Sequence, residues 1–238
     1  VGKVTLPGLG LAVGEPAINS TPRKMIVNEL SLLYGGGLDV TISVPEGETL
    51  ALKTFNPKLG IIGGISIIGT SGIVKPFSSE AFVDAIRKEV EVAYAINAER
   101  LVINSGAKSE KFVRSLYPNL PPQAFVHYGN FFVETLKIAA ETGFQKVSMG
   151  IMIGKAVKLA EGKMDTHSKN ETLALIEQMT LARELWGIPN KKDKEILFNK
   201  LVQLCHIHCT PLFPKGELAI LLINETGEIS YQFHSTLF

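Results

Sequence analysis

Hydrophobic positions along the chain follow two rhythms, and the change between them falls near Leu59. Before it, short apolar groups surround one helix. Residues 1–6 read as a strand and Gly8-Leu9-Gly10 as a turn, while Thr21-Pro22 supply the N-cap and first position of a helix ending near Gly35-Gly36-Gly37. Residues 38–44 alternate as a strand, and Pro45 to Glu48 turn the chain back. After Leu59, unbroken apolar runs alternate with amphipathic stretches at helical spacing, the order that marks a parallel sheet.

The run from Gly60 to Ile68 is β-branched without alternation, as suits a strand buried on both faces, and glycines follow it directly. Further strands are expected over 100–104, 124–128 and 146–153. Helices are expected from Ser78 or Ser79 to about Asn97, over 108–117, from Asn130 to Gly143, from Gly154 through Ala160, over 168–186, and from Asn190 to about Leu204. Two last strands, 218–223 and 229–233, flank the turn Asn224-Glu225-Thr226-Gly227 as a hairpin that either extends the sheet edge or returns to the first domain. The expected fold is α/β with an α+β N-terminal part: a wound, mostly parallel sheet with helices on both faces, plus a smaller mixed domain. The expected boundary separates residues 1–58, the surviving portion of an α+β domain, from residues 59–238.

Composition narrows the partners. With 238 residues and 45% hydrophobic content the chain can bury a full core, and a net charge of +1 without a basic run argues against nucleic acid. The longest uncharged apolar run, Leu59 to Val74, falls short of the roughly 20 residues of a membrane-spanning helix and is broken by glycines, so no membrane span is expected. Two cysteines four positions apart make no disulfide framework, and no leader-like start is present. The expected home is a reducing cytoplasm, and a homo-oligomer is compatible with the composition.

Candidate chemistry gathers at the turns. Gly69-Thr70-Ser71-Gly72 lacks the lysine and spacing of a phosphate loop and is no Gly-x-Gly-x-x-Gly fingerprint. It either brings backbone close to a ligand or simply packs strand on helix. Asn104-Ser105-Gly106 follows the 100–104 strand where dinucleotide folds carry an acidic residue for the ribose; Asn104 can hydrogen-bond a ribose, and Gly106 lets the chain turn. Gly129-Asn130 and the stretch from Gly150 to Gly154 are further rim positions. In Asp165-Thr166-His167-Ser168, His167 suits proton transfer near neutral pH, while Ser168 with Glu171 fits a capping box. Cys205-His206-Ile207-His208-Cys209 invites a metal, but on a helix the histidines point away from the face the cysteines share. Two core-facing cysteines and no protein-bound metal are expected.

Five blocks in order, Gly14-Glu15-Pro16-Ala17-Ile18-Asn19, Lys53-Thr54-Phe55-Asn56-Pro57, Gly63-Gly64-Ile65-Ser66, Gly69-Thr70-Ser71-Gly72-Ile73-Val74 and Asp165-Thr166-His167-Ser168, together resemble the cobalt-precorrin-5B methyltransferase family of anaerobic cobalamin biosynthesis. The resemblance runs from Gly2 to about Tyr231. It implies methyl transfer from S-adenosyl-L-methionine to ring carbon 1 of a cobalt-corrinoid substrate, giving cobalt-precorrin-6A. It implies a cofactor loop of Gly69, Thr70, Ser71 and Gly72 with Asn104 and Gly106, macrocycle contacts from Lys53, Asn56, Asn130 and Thr166, and His167 as a base. Family members carry upstream a Thr-Thr-Gly-x-Cys-Ala-rich segment and an acidic segment that these residues do not include, so part of the chemistry is expected outside this stretch. Two readings compete: a nicotinamide-dependent oxidoreductase on the same kind of sheet, and a corrinoid-binding partner protein without catalysis.

Overall fold

The computed structural model describes residues 1–69, 78–164, 190–224, 226–227 and 229–235. These divide into two compact units, Val1–Asn97 and Ala98–Phe238, which meet well beyond the change of rhythm on which the 1–58 and 59–238 division rests.

In the first unit, β1 (Lys3–Val4) pairs antiparallel with β2 (Ile61–Ile62), Lys3 opposite Ile62 and Val4 opposite Ile61. The helices are α1 (Ser20–Leu33), α2 (Gly47–Ala51) and α3 (Ser79–Ala95). The expectation that the apolar run after Leu59 forms a strand of the parallel sheet is corrected here. Its hydrogen bonds go to several local partners: Gly2 N donates to Ile65 O (2.8 Å), Ile67 N to Ala17 O (2.8 Å) and Asn19 N to Ile67 O (3.0 Å). Gly63-Gly64 interrupts the ladder, and Ile62 and Ile68 lie 59% and 71% exposed. A β-branched run of this length suits a short antiparallel pair as well as a buried strand, and the partner decides.

The strand expected over 38–44 is also absent. No ladder forms there, and Leu38 and Val40 stay half exposed, since alternation without a neighbouring strand buries nothing. The first helix starts at Ser20, with Asn19 in the N-cap position in place of Thr21, because Asn19 is already held by Ile67. Helix α1 buries none of its residues, and Leu32 and Leu33 are exposed. Helix α3 begins as the sequence predicts, with Ser78 Oγ accepting from Ala81 N at 3.3 Å.

The second unit holds the parallel sheet. Its elements are β3 (Leu101–Asn104), α4 (Ala107–Arg114), β4 (Phe125–His127), α5 (Phe132–Thr142), β5 (Lys146–Met152), α6 (Ile153–Ala160), α7 (Lys191–Cys209), β6 (Glu217–Ile223) and β7 (Ile229–Ser235). The order is β4-β3-β5-β6-β7; the first four strands are parallel and β7 runs antiparallel to β6. The terminal hairpin therefore joins the sheet, its first strand parallel to β5. The helix expected over 168–186 lies outside the described residues.

Burial explains the topology. All four residues of β3 are buried, as are Val147 to Ile151 of β5 and Leu218 to Ile223 of β6, the pattern of strands covered on both faces. Val102, Phe125, Leu221 and Ile223 pack with Val113 of α4, so α4 covers that face. A Cβ on Gly150 would meet Val113 Cγ1 at 2.9 Å and Ile223 Cδ1 at 3.2 Å, so the approach of α4 to β5 requires glycine there. The alternate residues Val147, Met149 and Ile151, equally buried, face the layer of α5, α6 and α7. Helices α6 and α7 pack together, and Cys205 Sγ donates to Ala156 O at 3.1 Å.

Candidate active site at the carboxyl edge of the parallel sheet

The parallel strands all end on one edge, where the chain leaving each strand supplies polar groups. From β3 the chain steps to β4 on one side, and β5 then lies on the other, so the sheet order reverses at the end of β3. A crevice forms at such a reversal because the flanking helices diverge.

Asn104 closes β3 opposite Gly150 of β5 and is fully buried. Its Oδ1 accepts from Gly106 N at 3.2 Å and from Ser109 Oγ at 3.4 Å. Because a backbone N–H can only donate, Gly106 fixes which end of the amide turns toward α4. That leaves Nδ2 buried without a partner among the described residues. An unmade hydrogen bond of this kind costs about 1–3 kcal/mol. Gly106, in the N-cap position of α4, has no side chain to cap it, and among the described residues no atom lies within 4 Å of where its Cβ would stand. The first amides of α4 and the positive end of its dipole thus lie at the carboxyl edge.

Two side chains bridge the end of β3. Tyr128 follows β4 and its hydroxyl donates to Gly150 O on β5 at 3.2 Å. Its ring is buried, and burial, the largest cause, pushes the phenol pKa up, so the hydroxyl stays protonated. Lys155, on the first turn of α6 after β5, reaches back to the β4 side: Nζ donates to Gly129 O at 2.5 Å and to Asn130 Oδ1 at 3.1 Å, 5.4 Å from the Tyr128 ring centroid. Burial, and then the charge of Lys158, lower the Lys155 pKa from its ordinary value. Among the described residues no carboxylate contacts this ammonium, and α6 has no acidic residue in its first turn. On the α4 face of the same edge, His127 Nε2 lies 2.5 Å from Glu110 Oε2, and Arg114 Nε donates to Glu110 Oε1 at 2.7 Å.

The residues singled out in the sequence separate into three groups. Asn104, Gly106 and Asn130 come together at this edge. Lys53, Asn56 and Gly69 belong to the first unit: Lys53 is exposed, Asn56 is buried with Oδ1 accepting from Ser66 Oγ at 3.2 Å, and no atom of the described residues lies within 4 Å of where a Cβ on Gly69 would stand. Thr70, Ser71, Gly72, Thr166 and His167 lie outside the described residues. Sequence reasoning missed Lys155, Tyr128, Ser109 and the His127–Glu110 pair. The signal that could have found Lys155 is a lysine just after a strand end, where a helix start disfavours positive charge.

The cysteine–histidine cluster sits at the end of α7. Cys205 and Cys209 are buried, burial pushing the Cys205 thiol up to about 12 and Cys209 higher still. Burial also lowers the pKa of His206, whose Nδ1 lies 3.2 Å from Thr210 Oγ1. Two cavities lie away from the edge: one of about 240 Å³ beside Arg100 and Tyr117 at the opposite, amino edge, and one of about 410 Å³ in the first unit between α1 and Val40.

The CbiD family model matches residues 1–76. A cobalt-precorrin-5B C(1)-methyltransferase of Prosthecochloris aestuarii is 42% identical over 94% of this chain and 67% of its own length. Proteins of the same name from Nitratidesulfovibrio vulgaris and Geobacillus thermodenitrificans are 47% and 50% identical over 74% and 71% of this chain and 46% and 47% of theirs. The chain spans about two thirds of the first relative and about half of the other two. A crystal structure of a cobalamin biosynthesis protein (CbiD) from Archaeoglobus fulgidus aligns at 26% identity over 74% of this chain and 55% of that one, with a TM-score of 0.27, too loose a superposition to bear on the fold. The identity to the Prosthecochloris protein, sustained along nearly the whole chain, places this protein in the cobalt-precorrin-5B C(1)-methyltransferase family.

Proposed function

We propose that the chain transfers the methyl group of S-adenosyl-L-methionine to ring carbon 1 of cobalt-precorrin-5B, giving cobalt-precorrin-6A and S-adenosylhomocysteine. Family membership carries the reading. The carboxyl edge supports it with a fit for the methyl donor among the described residues: open space over Gly106, uncapped amides at α4, an unpartnered amide donor on Asn104, and the Lys155–Asn130 pair. When bound, S-adenosyl-L-methionine supplies a methyl group already activated on a sulfonium.

The chain's own work is then mainly positional. Asn104 and Gly106 hold the donor at the sheet edge, Lys155 fixes the opposite lip, and Lys53, Asn56, Asn130 and Thr166 serve the macrocycle. Holding electrophile and nucleophile in line supplies up to about 7–11 kcal/mol of the barrier. His167 takes up a ring proton, and His167→Ala slows turnover by about a hundredfold or more while cofactor binding stays unchanged. The loop Gly69, Thr70, Ser71 and Gly72 keeps its proposed place in cofactor binding, and Gly72→Val should abolish it. Cobalt enters with the substrate.

Calorimetric titration with S-adenosylhomocysteine, with nicotinamide dinucleotides as controls, followed by turnover on cobalt-precorrin-5B, tests the reading. Saturable binding of the first ligand alone is the expected result. Selective binding of the dinucleotides would overturn it.

A further inference from the structure

Among the described residues, the carboxyl edge carries a lysine charge that no carboxylate contacts. Strand β3 lies between β4 and β5, so a side chain that leaves α6 after β5 and bonds Gly129 after β4 must pass over the end of β3. Lys155 makes that crossing and holds its ammonium 5.4 Å from the centroid of the buried Tyr128 ring. Two of its three N–H donors go to Gly129 O and Asn130 Oδ1, both uncharged acceptors. It sits on the first turn of α6, where the helix dipole repels a cation, with Lys158 one turn on and no acidic residue in that turn. Among the described residues no acidic group offsets the placement of this lysine against both burial and dipole. The opposite lip adds an independent sign: Asn104 is fully buried, its Oδ1 fixed on Gly106 N, and its Nδ2 donor has no acceptor among the described residues.

We propose that the carboxyl edge over the end of β3 is a carboxylate-binding subsite, with Lys155 supplying the charge and Asn104 Nδ2 and the first amides of α4 supplying neutral donors. The inference rests on the methyltransferase reading and deepens it. Two ligand carboxylates have the required chemistry: that of the amino-acid end of the methyl donor, and those on the side chains of the macrocycle. Anchoring the amino-acid end here also orients the donor, because a positive edge attracts its carboxylate and repels its sulfonium.

The test uses wild-type protein, Lys155→Met and Asn104→Asp, each checked for an unchanged cooperative melt. Asn104→Asp keeps the oxygen on Gly106 N and replaces the free donor with an acceptor. S-adenosylhomocysteine and 5′-methylthioadenosine, which lacks the amino-acid end, are titrated into each. If the subsite takes the donor's carboxylate, both variants weaken S-adenosylhomocysteine by about 10- to 100-fold, the range of a charge-assisted hydrogen bond, and leave methylthioadenosine unchanged. If it takes a ring carboxylate, both nucleoside affinities hold while KM for cobalt-precorrin-5B rises by a similar factor. Equal weakening of both nucleosides would reduce Lys155 to a brace for the Gly129-Asn130 turn and overturn the proposal, as would variants indistinguishable from wild type with all three ligands. Wild-type protein that binds neither nucleoside nor corrinoid would sink the methyltransferase reading together with the subsite.

Discussion

The two edges of the parallel sheet treat charge in opposite ways. At the amino edge Arg100 Nη2 meets Glu217 Oε1 at 2.5 Å and Nη1 donates to Ser148 Oγ at 3.1 Å, while Tyr117 Oη and Ser148 Oγ are 2.7 Å apart. Lys146 pairs there with Glu99 at 3.2 Å. At the carboxyl edge Lys155 has only neutral acceptors among the described residues, and Asn104 Nδ2 has none. The amino edge ties its cations to strand residues, whereas at the carboxyl edge Glu110, His127 and Arg114 pair with one another while Lys155 has no carboxylate and Asn104 Nδ2 no partner among the described residues. A side chain's contribution to stability and its contribution to binding therefore separate along a single sheet.

The sharpest way to break this contrast is Arg100→Met. It strips Glu217 of its guanidinium, and with side chains 14% and 26% exposed the loss falls below the buried-pair range, at about 2–3 kcal/mol. Binding of S-adenosylhomocysteine by the folded fraction should not change. Urea unfolding of this unit can be followed by exposure of the Cys205 and Cys209 thiols, both buried in the fold. A variant as stable as wild type would show that the amino-edge network is ornamental. Next in size, Gly150→Ala forces a methyl against Val113 and Ile223 and should cost about 1–3 kcal/mol.

Lys155→Met should stay within about 1 kcal/mol of wild type, because the lost hydrogen bonds are offset by relief of a disfavoured charge. The pH dependence distinguishes this from a surface lysine. With a folded pKa below its unfolded value of about 10.4, Lys155 binds fewer protons in the folded state, so stability rises with pH across that alkaline window. Urea midpoints between pH 8 and 10.5 should climb less in the variant than in wild type. An equal climb would place the lysine in solvent.

The smallest effect belongs to His206, whose pKa is lowered by burial. Its contribution is present above about pH 6.5 and lost as the pH falls through the lowered folded value. The urea midpoint should drop between pH 7 and 5, and drop less in His206→Gln.

Much of the sheet is legible in the sequence, because β3 and β6 hold the apolar runs 101–103 and 218–223, and β5 is apolar apart from Lys146, Ser148 and Gly150, as burial on both faces requires. The run after Leu59 looks the same and behaves otherwise. Its neighbours are Gly2, Ala17 and Asn19, more than forty positions upstream, and no local pattern announces them. The site divides on the same line. Asn104, Gly106 and Asn130 follow from strand ends, which the sequence marks. Lys155 matters because it spans from β5 to β4 across β3, and His127 because it meets Glu110, relations that exist only once the strand order is set.

The antiparallel last strand carries a consequence for how the protein can change over generations. A parallel neighbour would need a crossover helix, whereas β7 follows β6 after a turn that lies at the carboxyl edge. In that turn Asn224 Oδ1 accepts from Thr226 N and Oγ1, and Gly227 approaches the Phe112 ring of α4 too closely for any side chain. Hairpin tips tolerate inserted residues with little penalty. A lineage can therefore reshape the rim beside α4 by lengthening this turn while leaving every strand register in place.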